Sequence, residues 1–248
     1  MKIKSYAKAN IWLKVWKKNS FDQFHQIESL VTKVKNLYDV IYIKKITDNS
    51  DKVICKNKSL EKNNYIYDVL NILRENKIIK DYYKIYLKKN IPVGSGLGGG
   101  TSNAISVAKY FLKDENRPEI IETICKKIGF DSYYFFSNLN TAIVSGFGEV
   151  VNPFNENVKI KKQDLLFTNI YCSTKKVYEN FDKYFSEEQN FLTKASISVY
   201  PELKQYKNKG IMSGSGSTFI KNSFYNKKKN KYLLITETIK NTKYEHLK

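Results

Sequence analysis

The chain has 248 residues, 42% of them hydrophobic, which is enough to bury a core in one large domain or two small ones. No stretch nears the about 20 consecutive apolar residues of a membrane-spanning helix, and residues 1–6 carry no signal-peptide pattern. The formal net charge of +19 suits a polyanion binder or an enzyme acting on polyphosphates, and equally a lysine-rich compositional bias. Arg74 and Arg117 are the only arginines, which weighs against nucleic-acid recognition, because lysine lacks the bidentate fork. The cysteines Cys55, Cys125 and Cys172 are odd in number and form no CxxC pair, so neither a disulfide framework nor a zinc site is expected, and the cytoplasm is the simplest location.

In chain order, Ile11, Leu13 and Val15 alternate with Trp12, Lys14 and Trp16, which predicts a half-buried strand. Residues 37–46 (LYDVIYIKKI) predict a second, closed by the turn residues Asp48, Asn49 and Ser50. Asn63 and Asn64 precede a helix predicted over residues 65–76, where Ile66, Val69, Leu70 and Leu73 share one face. Residues 82–87 (YYKIYL) return to strand character and lead directly into Pro92 and the glycines. Ala104, Ile105, Ala108 and Leu112 mark a helix over residues 101–112, so the order is strand, glycine loop, helix. Residues 164–171 and 210–220 read as β, with helical candidates between them, and the lysine-rich residues 226–232 as a solvated loop. A soft boundary near residue 150 divides residues 1–150 from 151–248.

Residues 92–103 are the most informative segment. Gly94, Gly96, Gly98, Gly99 and Gly100 place five glycines in seven residues, so backbone N–H groups can turn inward and approach an anion closely. The helix that follows adds unpaired N–H groups and a partial positive charge. Thr101 and Ser102 add hydroxyls for phosphate or Mg²⁺. A Walker A loop is excluded, because Gly100 occupies the lysine position, and the Rossmann match at Gly94, Gly96 and Gly99 is unspecific in so glycine-rich a run.

The run Pro92-Val93-Gly94-Ser95-Gly96-Leu97-Gly98-Gly99-Gly100-Thr101-Ser102-Asn103-Ala104 closely resembles the central signature of the GHMP kinases. Ala7-Lys8-Ala9-Asn10 is similar to that family's opening motif, and residues 212–217 (MSGSGS) to its third, a second glycine turn. Further segments resemble the branch whose acceptor carries a cytidine diphosphate: Asp22-Gln23-Phe24-His25, Gly129-Phe130-Asp131, Gly146-Phe147-Gly148-Glu149, Ser173-Thr174 with Tyr178, and Tyr200-Pro201-Glu202-Leu203. Gln23 replaces a glycine and Phe130 a small residue of that branch, and no Asn-Asp pair precedes Tyr200.

The resemblance implies an α+β, two-domain fold: an N-terminal ribosomal-protein-like α/β domain and an abbreviated, ferredoxin-like C-terminal domain. It implies ATP-dependent phosphorylation of the 2-hydroxyl of 4-diphosphocytidyl-2-C-methyl-D-erythritol, in isoprenoid precursor synthesis, with Mg²⁺. Its catalytic residues would be Lys8 and Asp131, the latter as base because a hydroxyl is a poor nucleophile. The nucleotide would be held by Asn64, Lys89, Pro92, Gly94, Gly96, Leu97, Gly98, Gly99, Gly100, Thr101, Ser102, Asn103, Gly214 and Gly216. The acceptor would be held by Asn10, Phe24, His25, Thr174 and Tyr178, with Phe24 and Tyr178 stacking on the base; no metal ligand is assigned. Taken singly, Asp131 reads as a helix cap, Lys8 as one more surface lysine, His25 as structural, and both aromatics as core. The expected partner is a small molecule, with no nucleic acid or membrane, for a monomer or homodimer. The competing readings are another GHMP-type kinase (of homoserine, mevalonate or a sugar), a basic RNA-binding protein, and an inactive kinase altered at Gln23 and Phe130.

Overall fold

The computed structural model describes residues 2–18, 21–113, 117–156 and 158–226. Strand β1 (Lys2–Val15) pairs with β2 (Ile27–Ile46) and is followed by β3 (Lys52–Cys55), α1 (Ser59–Lys62), α2 (Tyr65–Glu75), β4 (Tyr82–Lys88) and α3 (Gly99–Leu112). Then come α4 (Pro118–Ile128), α5 (Asp131–Phe136), β5 (Thr141–Gly146), β6 (Val150–Pro153) and β7 (Ile160–Lys161). The remainder is β8 (Leu165–Leu166), α6 (Thr174–Phe181), α7 (Thr193–Val199), a 3-10 helix (Pro201–Lys209), β9 (Gly210–Met212), β10 (Phe219–Lys221) and α8 (Asn222–Asn226). The chain is mixed α and β, as expected.

Strand β2 is the hub of the first sheet, whose order is β3-β4-β2-β5-β6 with β1 and β7 also on β2. Its 20 residues serve two sets of neighbours: Val40 to Ile46 pair with β4, and Ile27 to Thr32 with β5. Between them Asn36 adopts left-handed backbone (φ 61°), and the register with β1 slips from Tyr6–Tyr38 to Lys8–Lys33. A bulge of this kind bends a strand and sharpens its twist. Ile66, Leu70 and Leu73 of α2, with Ala104, Ile105 and Ala108 of α3, bury against Ile41, Ile85 and Leu87. These are the helical positions that the apolar periodicity singles out.

The second sheet has the order β8-β10-β9 and is antiparallel. With α6 between β8 and β9, it supplies the β-α-β-β part of a ferredoxin-like unit, its third strand in the middle. The first sheet extends through β7 to Lys161, so the change of sheet falls between Lys161 and Leu165.

Several local expectations change. Strand β1 is not half-buried: every residue from Ala7 to Leu13 is buried. Its apolar side chains enter two cores, Ala7, Ala9, Ile11 and Trp12 beside Leu165 and Ile220, and Leu13 beside Phe181 and Phe219. The β character of residues 164–171 reduces to Leu165–Leu166, and residues 210–220 divide into two strands around a turn. Of the loop expected over residues 226–232, all but Asn226 lies outside the described residues. The three cysteines are buried and free.

One buried carboxylate ties the loop's base to β2. Asp39 is fully buried and accepts from the Asn90 N–H (2.6 Å), the Ile91 N–H (2.9 Å), Asn103 Nδ2 (2.9 Å) and Lys89 Nζ. Removing one partner of a buried charged pair strands the other. Asp39→Ala should therefore lower stability by about 3–5 kcal/mol in urea denaturation. Asp39→Asn should recover less than half of that loss, because the Lys89 charge stays unpaired.

Candidate active site

The loop between β4 and α3 is built by alternation. Gly94 (φ 64°), Gly96 (φ 74°) and Gly98 (φ 66°) are left-handed, and the helix begins at Gly99. A Cβ at Gly96 would lie 2.2 Å from the Ser213 carbonyl oxygen, so this position abuts the second glycine turn backbone to backbone. The first intrahelical bond of α3 runs from the Ser102 N–H to the Gly98 carbonyl (2.8 Å). The helix thus leaves the N–H groups of Gly99, Gly100 and Thr101 unpaired, and its dipole favours negative charge there. Gly100 is exposed, and a Cβ there would meet only the Tyr65 ring, at 3.8–3.9 Å. The Thr101 hydroxyl makes no hydrogen bond among the described residues.

Lys8 stands at this helix end. Its N–H donates to the Leu97 carbonyl (3.0 Å), and its ammonium donates to Asn10 Oδ1 (2.8 Å) and pairs with Asp131 Oδ2 at 3.2 Å. A Cβ on Gly98 would lie 3.2 Å from Lys8 Cε, so the ammonium stem passes directly under the loop. The Lys8 side chain is 6% exposed and that of Asp131 50%, so a buried cation holds a carboxylate that faces solvent. Asp131 is the first residue of α5 and does not cap it; its partner is Lys8. The far end of α5 is held by Lys109 of α3, which donates to the Phe135 carbonyl and to Asn138 Oδ1 (2.7 Å).

The second glycine turn closes the opposite side. The Asn10 N–H donates to Ser213 Oγ (3.0 Å), and Asn10 Nδ2 to Ser29 Oγ (2.7 Å). Gly214 (φ 56°) and Gly216 (φ 88°) shape the turn. Asn190, which the sequence reading passed over, clamps it: its Nδ2 donates to the Met212 (2.6 Å) and Gly214 (2.8 Å) carbonyls. It follows the polar run Ser186-Glu187-Glu188-Gln189, and nothing in the sequence singles it out. Thr174 bonds Ser215 through the two hydroxyl oxygens (2.9 Å).

The aromatic residues divide into two groups. Phe24 is half exposed and meets Phe130 edge-on (5.3 Å), and Phe130 leans on Phe147 (6.1 Å). Phe130 therefore packs away from the Asp131 carboxylate instead of crowding it, and Gln23 lies exposed. His25 is buried, with Nε2 3.1 Å from Asp182 Oδ1 and its ring against Tyr178 (5.5 Å) and Phe181 (5.4 Å). Burial, aided by the charge of Asp131, pushes the Tyr178 hydroxyl well above the ordinary tyrosine range, so this ring stands in the field of Asp131. The Tyr178 ring meets His25, not Phe24.

Three predicted residues act from behind the loop. Ser102 donates to the Tyr6 carbonyl (2.7 Å) and also bonds Ser5 Oγ (2.7 Å); Asn103 serves Ser5 and Asp39; Lys89 is bound to Asp39 and Asn103. Asn64 caps α2, accepting from the Ile66 N–H (3.1 Å). Pro92 starts the loop, and its carbonyl accepts from Ser95 Oγ (2.7 Å).

Similarity to other proteins agrees with this geometry. A family model described as the GHMP kinases N terminal domain matches residues 64–136. A protein of Ureaplasma parvum serovar 3 named 4-diphosphocytidyl-2-C-methyl-D-erythritol kinase is 34% identical over 92% of this chain and 97% of its own length. A protein of the same name from Campylobacter jejuni subsp. doylei is 31% identical over 88% of this chain and 99% of its own. The fold resembles a crystal structure of 4-(cytidine 5'-diphospho)-2C-methyl-D-erythritol kinase, with a TM-score of 0.67, 22% identity and 88% of each chain covered. It also resembles the Methanococcus jannaschii mevalonate kinase, with a TM-score of 0.52 and 13% identity over 97% of this chain and 95% of that one.

Two outcomes follow from the local geometry. Gly96→Ala, strained and obstructed by a carbonyl, should cost about 2–4 kcal/mol in thermal denaturation, whereas Gly100→Ala should be neutral or gain about 0.5 kcal/mol. Burial pulls Lys109 down from 10.5 to about 8, so between those values the unfolded chain binds the extra proton. Stability relative to Lys109→Met should therefore rise with pH from about 8 to about 10.5, measured by chemical denaturation along that range.

Proposed function

The chain belongs to the 4-diphosphocytidyl-2-C-methyl-D-erythritol kinases, a branch of the GHMP kinases, and we propose on that footing that it phosphorylates the 2-hydroxyl of 4-diphosphocytidyl-2-C-methyl-D-erythritol with ATP. The observation that carries this reading is the Lys8–Asp131 pair, 3.2 Å apart, beside the free N–H groups of Gly99, Gly100 and Thr101. A helix N-terminus seats phosphate, and a carboxylate next to it can take a hydroxyl proton. Neither feature alone makes a kinase; their adjacency does.

The loop and the first turn of α3 cradle the ATP phosphates. Asp131 accepts the proton of the 2-hydroxyl as the new bond from that oxygen to the γ-phosphorus forms. The bond from that phosphorus to the bridging oxygen breaks, and ADP departs. The Lys8 ammonium, fixed by Asn10 and Asp131, meets the charge on the transferring oxygens without having to reorganise. Magnesium would shield the phosphates. Asp131 and the Thr101 hydroxyl are the oxygen donors that would hold it.

Tyr65 borders the open side of Gly100, which with the preceding Asn64 we assign to the adenine, while Lys89 supports the loop through Asp39. Phe24, His25, Thr174 and Tyr178 line the acceptor side, where the Phe24 ring offers a face for the cytosine and Phe130 backs its edge. Every residue invoked comes from one chain, which fits a monomer or a homodimer with one complete site per subunit. No helix among the described residues is long and apolar enough to cross a membrane, and a cytoplasmic location suits both substrates.

Asp131→Asn should lower kcat by about 10²–10⁴ with ATP affinity little changed, in a coupled ADP-release assay with the cytidyl substrate. Retained kcat would remove Asp131 from the base role. Turnover of mevalonate or homoserine, with none on the cytidyl substrate, would overturn the substrate assignment.

A further inference from the structure

The first sheet has a face that the site does not use. Along β2, β3 and β4, Ile41, Val53, Ile85 and Leu87 enter the core beneath the helices, and the pleat sends their neighbours to the other side. On that side Lys2, Tyr42, Tyr86 and Ile54 stand in register as one row across four strands. Lys4, Val40 and Lys88 form the next row, and Lys44, Lys84 and Lys52 the row on the opposite flank. The central row is open: Tyr42 is 44% exposed, Tyr86 41% and Ile54 38%. Lys4 also lies over the Tyr38 ring, at 4.9 Å.

The charged side chains in these rows are all lysines. Some exposed lysines on other surfaces have acidic partners, as in Lys58–Glu61, Lys126–Glu122 and Lys207–Glu188. Among the described residues no carboxylate forms an ion pair with Lys2, Lys4, Lys44, Lys84 or Lys88, and Asp48 at the rim is taken by Lys52. A compositional bias multiplies lysines everywhere; here they stand in register along both flanks of an exposed aromatic row.

We propose that this face binds a single-stranded nucleic acid, with Tyr42 and Tyr86 stacking on bases and the flanking lysine rows meeting phosphates. Sheet surfaces with exposed aromatic rings suit unpaired bases, and stacking is indifferent to sequence. The scarcity of arginine counts against reading base edges in a duplex, which this mode of binding does not require. An anionic membrane is the weaker occupant, because Ile54 is the one exposed aliphatic side chain in the central row and little would enter the acyl region. The proposal keeps the small-molecule partner expected from the sequence and departs from the expectation of no nucleic acid.

The test is fluorescence anisotropy of a labelled oligouridylate of about 12 nucleotides titrated with the full chain. Tyr42→Ala/Tyr86→Ala should weaken binding at least about tenfold, while Tyr42→Phe/Tyr86→Phe should stay within about twofold. Lys44→Glu/Lys84→Glu should weaken binding and flatten its dependence on salt between about 50 and 200 mM. Kinase turnover should be unchanged in all three variants, which also reports that they fold. No binding by the unaltered chain, equal affinity in the Tyr→Ala pair, or sedimentation with phosphatidylglycerol vesicles in preference to the oligonucleotide would each overturn the proposal.

Discussion

The close approach of two glycine turns holds the functional centre together. A Cβ at Gly96 would sit 2.2 Å from the Ser213 carbonyl oxygen, a distance no side chain can occupy. Through that contact the N-terminus of α3, which belongs to the first sheet, is fixed against the turn between β9 and β10, which belongs to the second. Asn190 holds the second turn by two carbonyls, and Asn10 reaches the same turn from β1. The acidic and basic side chains of the site are placed by this backbone frame.

The frame was partly legible in the sequence. Glycine runs are visible because no other residue takes left-handed backbone so readily, and α2, α3 and β4 are visible because their apolar residues repeat at one period. Strand β1 was read as half-buried because alternation reports one core, whereas β1 lies between two. The inward direction of Ser102, Asn103 and Lys89 was hidden for a different reason. Their polar groups answer to Asp39, Ser5 and the Tyr6 carbonyl, partners supplied by chain 50 to 98 residues away, or to one another within the same β4–α3 connection. Asn190 carried no pattern at all, since a clamp on carbonyls needs only one amide in the right place. The pairing of Lys8 with Asp131 was foreseen from family resemblance, not from spacing.

The departures at Gln23 and Phe130 also look different in three dimensions. Gln23 is exposed, and the Phe130 ring turns toward Phe24 and Phe147 while the next residue reaches Lys8. Successive residues at the start of α5 thus divide their tasks, one facing an aromatic wall and one an ammonium. A bulky residue beside a reacting carboxylate need not obstruct it when the backbone sends the two side chains apart.

The hydrogen bond from the Lys8 N–H to the Leu97 carbonyl is a small feature with a wide consequence. It splices the strand that carries the ammonium to the glycine loop that we assign to the phosphates. A shift of the loop at Leu97 would therefore be felt directly at the Lys8 backbone. On the other side of the pair α5 is short, held at its far end by Lys109, and the Asp131 carboxylate alone stands open to water.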